Sequence, residues 1–199
     1  MLSNMKRSEQ KERTRQAVLA AARERIAAQG FGATTAQDVA GAAGVAVGTV
    51  FLHFPTMGRL AETLLDETIG EALARVGGPP VGEDLVGQLV QVAAVLYDAY
   101  RADPELSRQV LSGSLFEAAP DGPSSRRMTE FAGWVGARVE AAVAAKLIEP
   151  VAPSEAFAAF FALYFGALIL GLRGELDPAG QLDLLERLLR RVFRPAVRP

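Results

Sequence analysis

The stretch TTAQDVAGAAGVAVGTVFLHF, residues Thr34 to Phe54, decides the fold, because it reads as a short helix, a tight turn and a second short helix shaped to enter a DNA groove. Thr35 is suited to cap the first helix, and Val39, Ala40 and Ala43 make its inner face. Gly44 supplies the left-handed residue that closes a helix, and Val45 begins the turn with an apolar plug. The second helix is expected from about Val47 to Phe54. Val50 and Phe54 are spaced to pack inward, which leaves Ala46, Val47, Gly48, Thr49 and His53 facing outward.

Outward from this stretch, further elements follow in order: an opening helix VLAAARERIAAQGF (Val18 to Phe31), T-x-x-D-V-A (Thr35 to Ala40), A-G-V (Ala43 to Val45) and G-T-V-F-x-H-F-P-T (Gly48 to Thr56). On these motifs the chain resembles the TetR-type transcriptional regulators, over residues 12–72, with the helix-turn-helix at about 35–54. The resemblance implies an all-α protein of about nine helices, with an amino-terminal three-helix DNA-binding domain and a ligand-binding and dimerisation domain over 80–196. It further implies a homodimer on a double-stranded DNA operator, released by a small molecule. Five residues at three places depart from the family pattern: Ala46-Val47 stands for a Ser-Lys pair, Phe51 for Tyr, and Met57-Gly58 for Lys-Glu. Lysine and tyrosine there would hold phosphates, which fix register on the duplex. DNA contact is accordingly expected from Thr34, Thr35, Ala46, Val47, Gly48, Thr49, Phe51, His53 and Thr56, helped by helix-start amides and a basic amino-terminal arm.

The charge distribution agrees. The net charge of -2 conceals eight basic and four acidic residues through position 60, against 13 basic and 19 acidic beyond it. A basic amino-terminal module on an acidic body is the electrostatic layout of a DNA reader. No cysteine is present, so disulfides and thiolate zinc sites are excluded and a reducing compartment, the cytoplasm, is expected. The charged start MLSNMKRSEQKERTR has no apolar run behind it and does not read as a signal peptide. Abundant Ala and Arg suggest a bacterial source.

Catalysis finds little support. His53 is the one histidine, no G-x-S-x-G elbow occurs, and Gly41, Gly44 and Gly48 have the wrong spacing for a dinucleotide loop. The chain is expected to be no enzyme and to need no cofactor or metal.

The remainder reads as helices with clear punctuation. A fourth helix, about Met57 to Val76, should end at Gly77-Gly78-Pro79-Pro80, the candidate domain boundary. A fifth, about Glu83 to Arg101, aligns Leu85, Leu89, Val92, Leu96 and Tyr100 on one stripe, and Asp103-Pro104 starts a sixth that runs to about Ser112. After a Gly/Pro/Ser-rich loop at 119–125, the seventh should span about Ser124 to Leu147. Ser154 and Asp177-Pro178 open the last two.

The eighth helix holds an uncharged run of 17 residues, Ala156 to Leu172, at the lower limit for a membrane span. Glu155 and Arg173 bound it without a Lys/Arg-rich flank and an amphipathic helix follows, so a protein interior and no membrane is the expectation. In the resemblance, the last two helices pair with their copies in a second subunit. Ala158, Ala162, Phe165 and Gly166 would allow close approach, and Leu182, Leu185, Leu189 and Val192 would fill the seam. A lipophilic ligand would be lined by Tyr97, Tyr100, Phe116, Phe131, Trp134, Phe161, Tyr164 and Phe165, with Arg101 and Arg138 available for an anionic end. The alternative is a helical ligand-binding or scaffold protein whose DNA reading has decayed, motivated by the missing anchors at Val47, Phe51 and Met57.

Overall fold

The computed structural model describes residues 2–76, 84–114 and 123–196. Among these residues the chain is helical throughout: α1 (Leu2–Gln29), α2 (Ala36–Ala43), α3 (Val47–His53), α4 (Met57–Val76), α5 (Leu85–Ala102), α6 (Pro104–Ser114), α7 (Pro123–Ala144), α8 (Pro153–Leu172) and α9 (Pro178–Val192). The Gly77-Gly78-Pro79-Pro80 boundary and Phe116 lie outside the described residues, as does most of the 119–125 loop.

The chain divides into two compact units, Met1–Glu67 with Glu105–Ala118, and Thr68–Pro104 with Ala119–Pro199. The first thus combines α1 to α3 and the start of α4 with α6, which arrives from much later in the sequence. Its core is Val18, Leu19, Ala22 and Ile26 of α1, Val39 and Ala40 of α2, Val50 and Phe54, Leu60, Ala61 and Leu64 of α4, and Leu106 of α6, with Val110 packed against it.

Local chemistry sets the helix ends in this unit. Thr35 caps α2 through a reciprocal pair: its hydroxyl accepts from the Asp38 amide at 3.2 Å, while its own amide donates to the Asp38 carboxylate at 2.8 Å. Gly44 ends α2 at φ 66°, a left-handed conformation in which a side chain would be strained. Gly30, at φ 81°, ends α1, and a Cβ there would lie 2.8 Å from Glu105 Oε2. The opening helix extends farther than its apolar pattern predicts. It begins at Leu2 rather than Val18, because the charged segment before Val18 continues the helix while remaining mostly exposed.

In the second unit α8 packs against α7 and α9, and α5 packs against α7, α8 and α9. The interior holds Leu85, Leu89, Val92, Leu96 and Tyr97 of α5, Phe131, Val135 and Val139 of α7, Phe160, Tyr164 and Leu168 of α8, and Leu185 and Leu189 of α9. Asp177 caps α9 through the Gly180 amide at 2.7 Å, with Pro178 at the first helical position. Beyond α9, Ile148 bridges Pro195 and the Glu149 amide donates to the Arg194 carbonyl at 3.0 Å, tying the chain's end to the α7–α8 connection. α7 stops at Ala144, three residues before the expected Leu147, and Lys146 takes a left-handed φ of 57°.

Candidate functional site

The candidate DNA face is built on α3. Val50 and Phe54 anchor the helix in the first unit's core, and the Phe54 ring is overlain by the Arg15 guanidinium of α1 at 5.4 Å. At about 100° per residue, this anchoring turns Gly48 and Leu52 to the opposite side, flanked by Thr49, Phe51 and His53. Ala46, Gly48, Phe51 and Leu52 are exposed, and Thr49 and His53 are half-exposed. Thr56 is exposed at the start of α4, where its Oγ1 accepts the Arg59 amide at 3.0 Å.

Two of the expected positions turn inward. Thr34 is only 7% exposed and its hydroxyl donates to the Gly30 carbonyl at 2.8 Å, so its hydrogen-bonding capacity is spent on the end of α1. Val47 rests against the core instead of pointing outward, because the first turn of α3 sits close above α2. Thr35 remains exposed, but its hydroxyl is engaged with Asp38. The hydrogen bonds from the Thr35 hydroxyl and amide hold the Asp38 carboxyl below its ordinary range. Beside the face, α1 presents exposed Lys6, Arg7, Lys11 and Arg13. Glu12 lies among them, and its carboxyl is lowered by the Gln16 side-chain hydrogen bond at 2.9 Å, with Arg15 and His53 contributing.

The family model for bacterial regulatory proteins of the tetR family matches residues 18–64, the span that holds α1's core half, α2, α3 and the start of α4. Over that span the chain resembles the TetR-type regulators. It is a DNA-binding transcriptional regulator, and regulators of this type are generally transcription factors rather than enzymes. Among solved structures it is similar to a TetR transcriptional regulator from Rhodococcus sp. RHA1, at 19% identity over 92% of this chain and 97% of that one, with a TM-score of 0.64. A second is the TetR transcriptional regulator from Nitrosomonas europaea ATCC 19718, at 19% identity over 89% and 96%, TM-score 0.61. A third is RolR in complex with resorcinol, at 14% identity over 94% and 90%, TM-score 0.66. At such identities the likeness speaks for the fold. No curated protein matches the chain.

The second unit of this TetR-type chain gathers most of the aromatic residues singled out in the sequence. Tyr97 and Tyr164 stack at 5.1 Å, and the Tyr97 hydroxyl donates to the Tyr164 carbonyl at 2.8 Å. Phe131 meets Tyr164 edge-on at 6.3 Å and stacks on Trp134 at 6.2 Å, while Phe161 stacks on Phe165 at 5.8 Å. Phe157 and Phe160, which the sequence reading passed over, belong to the same cluster through Phe131, at 6.1 and 5.8 Å. Their spacing from Phe161 and Tyr164 on α8 is the signal that would have included them. Burial pushes the phenols of Tyr97 and Tyr164 well above their ordinary pKa, so both stay neutral and act as hydrogen-bonding rings.

The two arginines differ. Arg101 is taken up inside the protomer, donating to Gln181 Oε1 at 2.9 Å and paired with Asp98, so it is a helix tie rather than a free anchor. Arg138 is 8% exposed, lies over the Trp134 ring at 3.3 Å and donates to the Trp134 carbonyl at 3.2 Å. Its Nε is buried without a partner among the described residues, and burial lowers its pKa.

Of the expected dimer residues, Ala158, Ala162 and Gly166 are exposed, Phe165 and Leu182 are half-buried, and Val192 is 44% exposed. Leu185 and Leu189 are both fully covered inside the protomer, where α9 lies on α5 and α8. Their four-residue spacing continues the line of buried Gln181, a second face of α9 that points inward. By length and composition α8 is long and apolar enough to cross a membrane, and 33% of its most apolar window is buried inside the protein.

Proposed function

We propose that this TetR-type regulator is a ligand-responsive repressor: a cytoplasmic homodimer that holds a palindromic operator until a small lipophilic molecule occupies its second unit. The observation that carries the DNA reading is α3, pinned from behind by Val50 and Phe54 while Gly48, Thr49, Phe51, Leu52 and His53 stand clear of the core. A short helix so held offers its far side to a major groove. Two such helices in one dimer would reach successive grooves, with half-sites roughly 34 to 36 Å apart.

The dimer reading rests on α8, whose outward Ala158, Ala162 and Gly166 leave room for a partner helix. The ligand reading rests on the aromatic cluster around Phe131 and Tyr164 and on Arg138 beside it, with RolR as a protein of the same fold that takes resorcinol. A ligand releases DNA by binding the DNA-incompetent arrangement more tightly, and the coupling is expected at about 1–3 kcal/mol.

The test is a mobility shift on DNA from upstream of the chain's own gene, with Thr49→Ala/His53→Ala as the probe. Each lost base contact should cost about 1–3 kcal/mol, and a lost phosphate contact should instead flatten the salt dependence. Unchanged binding by the double variant removes these side chains from the site. No shift with the native protein favours the decayed-reader alternative, for which Val47, Phe51 and Met57 in place of polar anchors speak.

A further inference from the structure

The outward side of α3 carries a feature that phosphate contact does not explain. Four large apolar side chains are exposed among the described residues, Phe51, Leu52, Met128 and Val192, and two of them are neighbours on this seven-residue helix. Leu52 is 75% exposed and Phe51 43%. Helix geometry accounts for the direction: Leu52 lies about 200° around the helix from Val50, the residue anchored in the core, so it points straight away from the unit. Gly48 precedes it by one turn on the same line, and a Cβ there would meet nothing within 4 Å. A bare backbone followed by a projecting leucine lets the helix approach a surface closely and then insert a methyl-bearing side chain.

The neighbouring side chains indicate which surface. Thr49 and His53 flank the pair as hydrogen-bonding groups, and no charged residue occurs from Ala46 to Phe54. The helix therefore lacks phosphate-holding cations on its own face. What a major groove offers an apolar side chain is the C5 methyl group of thymine. We propose that Phe51 and Leu52 determine operator sequence by apolar contact with thymine methyl groups, while Thr49 and His53 supply hydrogen bonds. This rests on the operator reading above and deepens it by naming the base feature that is read.

The experiment starts from duplexes recovered by the full-length native protein from a random DNA pool. Each thymine of a recovered half-site is then replaced singly by deoxyuridine, which removes the methyl group and nothing else. At one or more positions, repeated symmetrically in both half-sites, affinity should fall about fourfold, the value of one buried methyl-sized group. Phe51→Ala/Leu52→Ala should keep native helicity, since both side chains are exposed, and should bind thymine and deoxyuridine duplexes alike. Leu52→Ala alone provides the same comparison with a smaller loss if the double variant binds too weakly to measure. Half-sites without thymine, a native protein indifferent to every replacement, or variants that keep full methyl sensitivity would each overturn the assignment. Recovery of no duplex at all overturns the operator reading itself, and with it this one.

Discussion

Ala162→Asp and Leu185→Ala should separate two properties that sequence spacing merges, protomer stability and dimer assembly. Leu185 is fully buried where α9 meets α5 and α8, so its truncation removes packing inside one chain. Leu→Ala at such a site costs about 2–5 kcal/mol. For a chain of this length, about 2–4 °C of melting temperature is lost per kcal/mol, so a fall of about 6–12 °C is expected for a mid-range loss near 3 kcal/mol. Ala162, by contrast, is exposed on α8. An aspartate there should change protomer stability by no more than about 0.5 kcal/mol.

If α8 meets its copy across a two-fold axis, however, the same aspartate enters the seam twice, and each carboxylate must be desolvated without a partner. A combined cost of about 4 kcal/mol raises the dissociation constant about a thousandfold. Sedimentation equilibrium reads assembly and circular dichroism melting reads stability. The expected pattern is a folded monomer for Ala162→Asp and a less stable dimer for Leu185→Ala. A tight Ala162→Asp dimer would refute the α8 seam, and a Leu185→Ala protein that dissociates without losing stability would refute the inward placement of that face.

Thr35→Ala should lower stability by about 0.5–2 kcal/mol, as loss of a helix cap does, and should loosen operator binding by fraying α2, both readable by melting and mobility shift. Because the Asp38 carboxyl is held below its ordinary value in the folded state, its contribution is complete above the unfolded-chain value of about 3.9 and disappears as pH falls through the lower folded value. Acid titration of native and Asp38→Asn proteins should therefore diverge above that range and converge below it. Tyr97→Phe, which removes the buried hydroxyl donor to Tyr164, should cost about 0.5–1.5 kcal/mol in chemical denaturation with no change of fold. Trp134 emission should saturate with an inducing compound, and Arg138→Met should weaken an anionic inducer by about 2 kcal/mol or more, roughly thirtyfold, while leaving its neutral analogue nearly unaffected. Equal losses for both compounds would take the charge of Arg138 out of recognition.

The helix-turn-helix was legible because its punctuation is chemical. Thr35 caps α2 and Gly44 closes it in the left-handed conformation, each for a local backbone reason, and Val50 and Phe54 fit a single inward line. Leu52 escaped notice for the opposite reason: an apolar residue is read as inward by default, and only its angle to Val50 reveals that it faces out. Periodicity also announced α9 but not its neighbours. A helix with leucines at positions 182, 184, 185, 188 and 189 presents apolar groups to more than one side, and spacing alone does not say that the 185/189 line belongs to α5 and α8 of the same chain. Likewise the first half of α1 has charge everywhere and no core stripe, so only its helical continuation from Val18 explains why it is ordered as helix.

The membership of α6 was the least legible feature and bears most on regulation. Leu106 and Val110 complete the core beneath the DNA-reading helices, and the Glu105 carboxylate accepts the Gly32 amide at 3.1 Å across 73 positions of sequence. The turn that delivers Thr35 to the start of α2 is therefore held by a residue that follows α5 as well as by local bonds such as that of Thr34 to Gly30. A hydrogen bond to a charged group contributes about 1.5–3 kcal/mol, which matches the 1–3 kcal/mol typical of coupling between sites. Displacing α6 by enough to break the Glu105 contact and uncover Leu106 would thus remove support for α2 and α3 of the size that coupling between sites requires. A contiguous pathway of further residues is not required by that arithmetic, because α6 itself is part of the folding core on which the reading helix depends.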